Sequence, residues 1–200
     1  MSHSPVSLLY KRWKLLFLFG CIFGVLAGGM TFLFPLEYRA DAQVFIISQS
    51  QQGVDPYTTV KSAERIGENL SELLKTDDFF VKVSNQDGYN LDVSEFTSLN
   101  DRKRRKLWEQ SVHGSVVYGT GVFSISAYHR SQEQAKALAG AAANTLVANG
   151  WQYVGGDVII RLVNPPVVTQ YPVRPNLLVN IVLGFLFGVL FISVFVIRKR

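Results

Sequence analysis

Two long apolar runs lie near the two ends of the chain. Leu15–Phe34 and Leu177–Ile197 hold 20 and 21 residues without a single Asp, Glu, Lys, Arg or His. A helix of about 20 residues rises about 30 Å, which matches the thickness of the hydrocarbon core of a bilayer. The pattern therefore predicts transmembrane helices at residues 15–36 and 177–197, with a segment of mixed polarity between them.

The first run has a cleaved signal peptide as its alternative. The apolar core of a signal spans about 7 to 15 residues and ends at a small-residue cleavage site. This run instead continues through Met30 and Phe34, which favours a membrane anchor. Cys21, the only cysteine, follows Phe19-Gly20, and the bulky Phe19 argues against a lipoprotein cleavage site. One cysteine also excludes an intramolecular disulfide.

The first part of the central segment changes from a period of two to a helical period. One face of a half-buried strand is predicted for alternating positions after Pro35, namely Tyr38, Ala40, Ala42, Val44 and Ile46. A helix follows, with an apolar stripe formed by Ala63, Ile66, Leu70, Leu73 and Leu74. The same helix is expected to show three acidic residues to solvent: Glu64, Glu68 and Glu72.

The second part predicts two strands, a helix and a last strand. Ser98 and Asp101 predict the cap of a helix that runs to about Ser111. Gly119-Thr120-Gly121 separates two β-rich runs, and its glycines permit the positive φ of a bulged hairpin. Ser131 and Gln134 predict a capping box for an alanine-rich helix. Its expected stripe is Ala135, Leu138, Ala139, Ala142 and Leu146.

The last strand is expected to run from Val158 to Asn164. Together these patterns predict one α+β domain over 37–164, with a small and mostly antiparallel sheet. The strands that begin and end the domain are expected to pair with each other. A proline-rich strut over 165–176 would then lead to the second helix.

The basic residues are unevenly distributed. The formal net charge is +5, yet the ends carry six Lys and Arg and no acid, while the rest carries 14 Lys and Arg against 15 Asp and Glu. By the positive-inside rule, residues 1–14 and 198–200 are cytoplasmic and the central domain is extracytoplasmic. This distribution predicts contact with membrane lipids and argues against a nucleic-acid partner.

Glycines recur at every fourth position in both apolar runs. Gly20, Gly24 and Gly28 share one face of the first helix, and Gly184 and Gly188 share one face of the second. Missing side chains let two helices approach closely in a membrane. The glycines therefore predict helix packing or assembly, and the partner is either the other span or another subunit.

Two further segments are candidates for contact or coupling. Pro166, Pro172 and Pro175 would stiffen the strut, because proline fixes φ and cannot donate a backbone hydrogen bond. The basic run Arg102, Lys103, Arg104, Arg105 and Lys106 is either a solvated helix face or a contact for anionic lipid or glycan.

The sequence offers no candidate catalytic residue, metal site or cofactor site. His3, His113 and His129 stand at no metal-ligand spacing. Gly119-Thr120-Gly121 lacks the third glycine and the following helix of a nucleotide-binding motif. We therefore expect a protein that is not an enzyme and needs no cofactor.

This arrangement resembles the polysaccharide co-polymerases, the chain-length determinant family of bacterial cell-surface polysaccharide export. Three pieces carry the resemblance: the strand 38–46 after the first span, the strand–helix unit 121–144, and the proline-rich entry to the second span over 166–188. There are departures, because Arg130-Ser131-Gln132 stands where members often have Asp-Pro, and the insert 84–111 is short. Only Arg198-Lys199-Arg200 follows the second run, so the resemblance is to a short member without a kinase domain.

The resemblance implies a non-catalytic, inner-membrane scaffold that sets the length of a surface polysaccharide. It implies a homo-oligomer, with a polysaccharide polymerase and a lipid-linked glycan as partners. Two other hypotheses remain open. One is a two-span sensory or adaptor protein whose outer domain binds a ligand, and the other is an enzyme that acts on a lipid-linked sugar.

Overall fold

The computed structural model describes residues 10–48, 55–155 and 158–198. The terminal segments 1–9 and 199–200, which the charge pattern predicts to be cytoplasmic, lie outside the described residues. The chain divides into two compact units. One consists of the parts up to Leu36 and from Val173 onward, and the other runs from Glu37 to Pro172. We call them the helix-pair unit and the domain unit, and each is considered by itself.

The elements confirm the predicted α+β class with apolar helices at both ends. In chain order they are α1 (Trp13–Thr31), β1 (Tyr38–Ser48), α2 (Pro56–Leu73), α3 (Asp77–Ser84), α4 (Ser94–Thr97), α5 (Asp101–Ser111), β2 (Val112–Val117), β3 (Val122–His129), α6 (Gln132–Asn149), α7 (Trp151–Val154), β4 (Val158–Val168) and α8 (Leu177–Arg198). Both α1 and α8 are long and apolar enough to cross a membrane.

The domain unit is built on a four-stranded sheet of order β2-β3-β1-β4, and every neighbouring pair is antiparallel. The predicted pairing of the first and last strands is confirmed, because Ala40 lies opposite Val168 and Ile46 opposite Ile160. The start of β1 and the end of β4 therefore lie at the same end of the sheet. The predicted hairpin is also confirmed, with positive φ at Gly119 and Gly121.

One face of the sheet is buried beneath α2 and α6. The alternating positions predicted for β1 are fully or nearly buried from Ala40 to Ile46, and Phe123 and Ile125 of β3 join them. Helix α6 is buried more widely than the narrow stripe predicted from sequence, since Ala141 and Ala143 are inaccessible as well. The reason is that the segment after α3 covers its other side, where the Nδ2 of Asn144 donates to the Tyr89 hydroxyl at 2.8 Å.

The insert between α3 and β2 has an aromatic core that the sequence did not reveal. Phe80, Phe96 and Trp108 come from α3, α4 and α5, and their ring centroids lie 5.1 to 5.8 Å apart. The indole N–H of Trp108 donates to the carbonyl oxygen of Leu74 at 2.7 Å, which satisfies its only polar atom in a buried position. These contacts stabilise three short helices, which would be too short to be stable in isolation.

Two predicted capping motifs are wrong. Helix α5 begins after Asn100, whose side chain accepts from the Lys103 N–H at 3.0 Å, so neither Ser98 nor Asp101 is the cap. Ser131 is the N-cap residue of α6 as predicted, but its side chain makes no capping hydrogen bond, and Gln134 is engaged elsewhere, so the predicted capping box is absent. Gln134 accepts from the Asp92 N–H at 2.9 Å and donates to the Asn90 carbonyl at 3.0 Å. It therefore anchors the insert to α6.

The last strand extends beyond the predicted end at Asn164. β4 continues to Val168, so Pro165 and Pro166 belong to the strand and not to the strut. Proline is tolerated because β4 is an edge strand, and register shifts opposite Gln43 show that β4 bulges there.

The expected solvent position of Glu64 is also wrong. Its residue is 5% exposed, and its carboxylate accepts from the Gly119 N–H and from the Lys61 Nζ, both at 2.6 Å. These two hydrogen bonds, that from Lys61 first, lower the pKa of Glu64 below its ordinary value. Helix α2 thus holds the turn of the β2–β3 hairpin through one charged side chain.

The lowered pKa of Glu64 predicts acid-sensitive stability. The carboxylate contacts stabilise the fold at neutral pH, and this contribution is lost as the pH falls below about 4.3, the ordinary pKa of glutamate, towards the lowered value. Glu64→Gln should lower the unfolding temperature at pH 7 and reduce the loss of stability on acidification. Thermal unfolding of the full-length protein in detergent, followed by circular dichroism between pH 7 and pH 3, measures both.

Glu72→Gln is the matched control for this prediction, because Glu72 lies on the same helix in an exposed ion pair with Lys75. Exposed pairs contribute little to stability. The Glu72 variant should therefore follow the wild-type profile. An unchanged acid profile for the Glu64 variant would contradict the assignment.

Candidate functional site

The helix-pair unit places all five predicted glycines at one contact between α1 and α8. The two helices are antiparallel, since Gly20 lies beside Phe185 and Gly28 lies beside Leu177 and Ile181. Of the two partners that the sequence allowed, the structure shows the other apolar helix of the same chain. The role of these glycines in assembly of several chains stays a prediction.

The contact brings backbone against backbone. A Cβ atom placed on Gly184 would lie 2.7 Å from the Phe23 carbonyl oxygen, and one on Gly188 would lie 2.8 Å from the Phe19 carbonyl oxygen. A Cβ on Gly24 would lie 3.2 Å from the Ile181 carbonyl oxygen. Because carbonyl oxygens of a helix cannot move aside as a flexible side chain can, only glycine fits at positions 184 and 188, and a Cβ on Gly24 would need a shift of a few tenths of an ångström.

A hydrogen bond joins the two helices beyond the glycines. The Asn180 Nδ2 donates to the Thr31 Oγ1 at 3.0 Å, and the Thr31 hydroxyl itself donates to the Ala27 carbonyl at 2.9 Å. Thr31 is 2% exposed. Sequence reasoning missed this pair, although Asn180 is the strongest hydrogen-bonding side chain within either apolar run and was the available signal.

The proline-rich segment is held by the domain unit for part of its length. Thr169 follows β4, and its N–H donates to the Arg39 carbonyl at 2.8 Å. The Nε2 of Gln132 donates to the carbonyls of Thr169 and Gln170 at 3.3 and 3.1 Å. The part of the predicted strut that is free of such contacts is therefore shorter than 165–176.

The two later prolines fall on different sides of the division between the units. Pro172 is the last residue of the domain unit, and Pro175 belongs to the helix-pair unit. Each is partly buried. Asn176 follows Pro175, and its Oδ1 accepts from the Val179 N–H at 3.2 Å at the start of α8. Their coupling role stays a prediction.

The basic run does not form a uniform charged face. Arg105 is paired with Asp77 at 2.7 Å, and Arg104 lies 3.1 Å from Asp101 and 3.6 Å from Asp77. The hydrogen bond from Arg105 lowers the pKa of Asp77. These two arginines tie α5 to α3. In the described part of the chain, the exposed cations left without a carboxylate partner in this run are Arg102, Lys103 and Lys106.

A second charged cluster, which the sequence did not indicate, joins α3 to α7. The Lys82 Nζ donates to the Tyr153 hydroxyl at 2.5 Å and lies 3.2 Å from the Asp78 carboxylate, which also accepts from Tyr153. The hydrogen bond to Tyr153 raises the pKa of Lys82, and the hydrogen bond from Tyr153 lowers the pKa of Asp78. The cluster is a structural tie between helices.

Within residues 10–48, 55–155 and 158–198, no group of three or more His, Cys, Asp or Glu side chains could hold a metal ion. His113 packs edge-on to Tyr128 in the sheet. The Nδ1 of His129 accepts from the Ser131 N–H at 3.0 Å. His3 lies outside the described residues.

The fold and these surfaces define an α+β protein whose single domain unit is flanked by two apolar helices. Residues 6–86 match the family model of the chain length determinant protein, Wzz. The match runs from before α1 to the end of α3, and it confirms the resemblance to the polysaccharide co-polymerases. Members of this family regulate polysaccharide chain length and are not catalysts. No match to an individual curated protein accompanies it.

The close contact of α1 and α8 predicts strong sensitivity at Gly184. Gly184→Ala should force the helices apart, because the added methyl group meets the Phe23 backbone, at a cost of about 1 to 3 kcal/mol. Thermal unfolding of the full-length protein in detergent should show a lower transition temperature. Gly29→Ala is the matched control, since a Cβ there meets nothing within 4 Å. Equal effects of the two substitutions would contradict this account.

Proposed function

We propose that this protein is a membrane-anchored polysaccharide co-polymerase that regulates the chain length of a cell-surface polysaccharide by scaffolding its polymerase. The observation that carries the proposal is the match of residues 6–86 to the chain length determinant model. The substrate of the partner polymerase would be a lipid-linked glycan. The polymer would be an O-antigen, a capsule or an exopolysaccharide.

The sheet supports extending the proposal to the second half of the chain. β1 lies within the matched residues and pairs with β3 on one side and β4 on the other, both of which lie beyond residue 86. The unmatched half therefore completes the sheet that the matched half begins. The pairing of the first and last strands also agrees with the predicted arrangement, in which each end of the domain leads to an apolar helix.

The proposed location is the bacterial inner membrane, with both termini in the cytoplasm and the domain unit outside it. The antiparallel contact of α1 and α8 supports this topology, because two antiparallel spans bring both termini to the same side. The clusters Lys11, Arg12 and Lys14 on one helix and Arg198 on the other then meet the positive-inside rule together.

Assembly into a homo-oligomer is part of the proposal and rests on the resemblance. The glycine face of α1 is occupied by α8 of the same chain, so it does not serve as an argument for contacts between copies. Arg102, Lys103 and Lys106 are the proposed contact for anionic lipid or glycan, because they are exposed and have no carboxylate partner in the described residues.

Loss of the protein should change polymer length without stopping synthesis. A scaffold that positions a polymerase affects how many units are added, whereas an enzyme of the pathway would be needed for any product. Gel profiles of the surface polysaccharide from deletion and complemented strains measure this. A broadened or shifted length distribution is expected in the deletion strain, and complete absence of polymer would contradict the proposal.

Pro172→Ala should shift the most frequent polymer length while leaving the protein abundant in the membrane. Alanine restores φ freedom at the end of the domain unit and removes no large apolar contact, so coupling should suffer more than folding. Pro56→Ala makes the same chemical change at the first residue of α2 and serves as the control. An unchanged profile for the Pro172 variant would reduce this segment to a plain linker.

A further inference from the structure

A groove opens between the two helices of the helix-pair unit, at the end that holds the start of α1 and the end of α8. Its volume is about 520 Å³. Two arginines stand beside four apolar side chains in its lining, which consists of Arg12, Leu15, Ile192, Phe195, Val196 and Arg198. An apolar groove that ends at two guanidinium groups suits a ligand with an acyl chain and an anionic head.

The sequence gives the two arginines no acidic side chain within their own unit. Residues 1–36 and 173–200 contain seven Lys and Arg and no Asp or Glu. Neither Arg12 nor Arg198 forms an ion pair or side-chain hydrogen bond with any described residue. The domain unit differs, because its cations include several paired with carboxylates, such as Arg105 with Asp77 and Lys61 with Glu64.

The side chains around the groove indicate which class of anion would bind there. Leu15, Phe195 and the outward faces of both helices are exposed and apolar, as expected of surfaces that contact hydrocarbon. Tyr10 and Trp13 are exposed at the same end of α1, and such amphipathic aromatic side chains mark the level of lipid head groups. An anion at this depth would be carried by a lipid, since the apolar lining would gain little from a free inorganic ion.

We propose that this groove is a binding site for one anionic phospholipid. The guanidinium groups of Arg12 and Arg198 bind its phosphodiester, and an acyl chain packs against Leu15, Ile192, Phe195 and Val196. Guanidinium suits this task because its planar fork of N–H donors matches phosphate oxygens. The lipid supplies the negative charge that the helix-pair unit lacks, and it bridges the ends of α1 and α8.

The test uses the full-length protein in detergent and native mass spectrometry. Phosphatidylglycerol and phosphatidylcholine with identical acyl chains are the two lipid probes, and glycerol 3-phosphate is the soluble probe for the head group alone. The wild-type protein should retain phosphatidylglycerol in preference to phosphatidylcholine. Glycerol 3-phosphate should fail to displace it, because the acyl chain contributes to binding.

Arg12→Gln with Arg198→Gln should weaken retention of phosphatidylglycerol about tenfold or more, since each cation near an anionic lipid contributes substantially to binding. Lys11→Gln with Lys14→Gln also removes two positive charges from this end of the helix-pair unit, but neither lysine lines the groove. This control should bind within about twofold of the wild type. Circular dichroism of both variants checks that the helices are intact.

Leu15→Trp tests the apolar half of the site while both arginines stay in place. It should weaken phosphatidylglycerol retention by filling the groove. Equal retention of the two lipids by the wild type would overturn the proposal. Equal losses of phosphatidylglycerol retention in the double-arginine and double-lysine variants would also overturn it. They would show that the lipid is attracted by net positive charge and not by a specific site. Full displacement by glycerol 3-phosphate would show an anion site without a lipid requirement.

Discussion

The pairing of β1 with β4 is the constraint on which the domain unit depends. These strands are separated by more than 100 residues, yet they pair along nearly their whole length, from Ala40 opposite Val168 to Ser48 opposite Val158. A contact of such sequence separation carries a loop-closure cost that the buried apolar face beneath α6 must offset. Once it forms, the first strand of the domain starts and the last strand finishes at the same end of the sheet.

The helix-pair unit also joins two distant segments of the chain, but a different physical effect stabilises it. No water is available to drive apolar side chains together inside a bilayer, so close packing must supply the stabilisation. Glycines on both helices allow the backbones to touch, and the hydrogen bond between Asn180 and Thr31 adds a directional contact.

Local patterning was sufficient to predict most helices and strands, because alternation and helical periodicity depend only on residues close in sequence. The faces of β1, the hairpin at Gly119 and Gly121, and the glycine faces of α1 and α8 all follow from spacing. The partner of the glycine faces could not be predicted, since spacing shows which side of a helix packs and not what it packs against.

Two of the errors share one cause, which is a side chain that contacts a distant segment of the chain. Glu64 has the spacing of a solvent-exposed residue, yet the hairpin turn 55 residues later recruits its carboxylate. Gln134 has the spacing of a capping box, yet its side-chain amide is hydrogen-bonded to the backbone at Asp92. Pro165 and Pro166 suggest the end of a strand, yet an edge position with a bulge accommodates them.

The two units also differ in whether their cationic side chains can form ion pairs, and this difference follows from composition. All 15 Asp and Glu lie between residues 37 and 157, and several of them form ion pairs with Lys or Arg, such as Asp41 with Arg39 and Asp77 with Arg105. A cation paired in this way fixes one element to another, as Arg105 fixes α5 to α3. The cations at the ends of the apolar helices have no such partner in their unit, so their neutralisation depends on what surrounds the protein. Ion pairs between side chains can therefore stabilise the domain unit, whereas the helix-pair unit has no acidic side chain with which to form them.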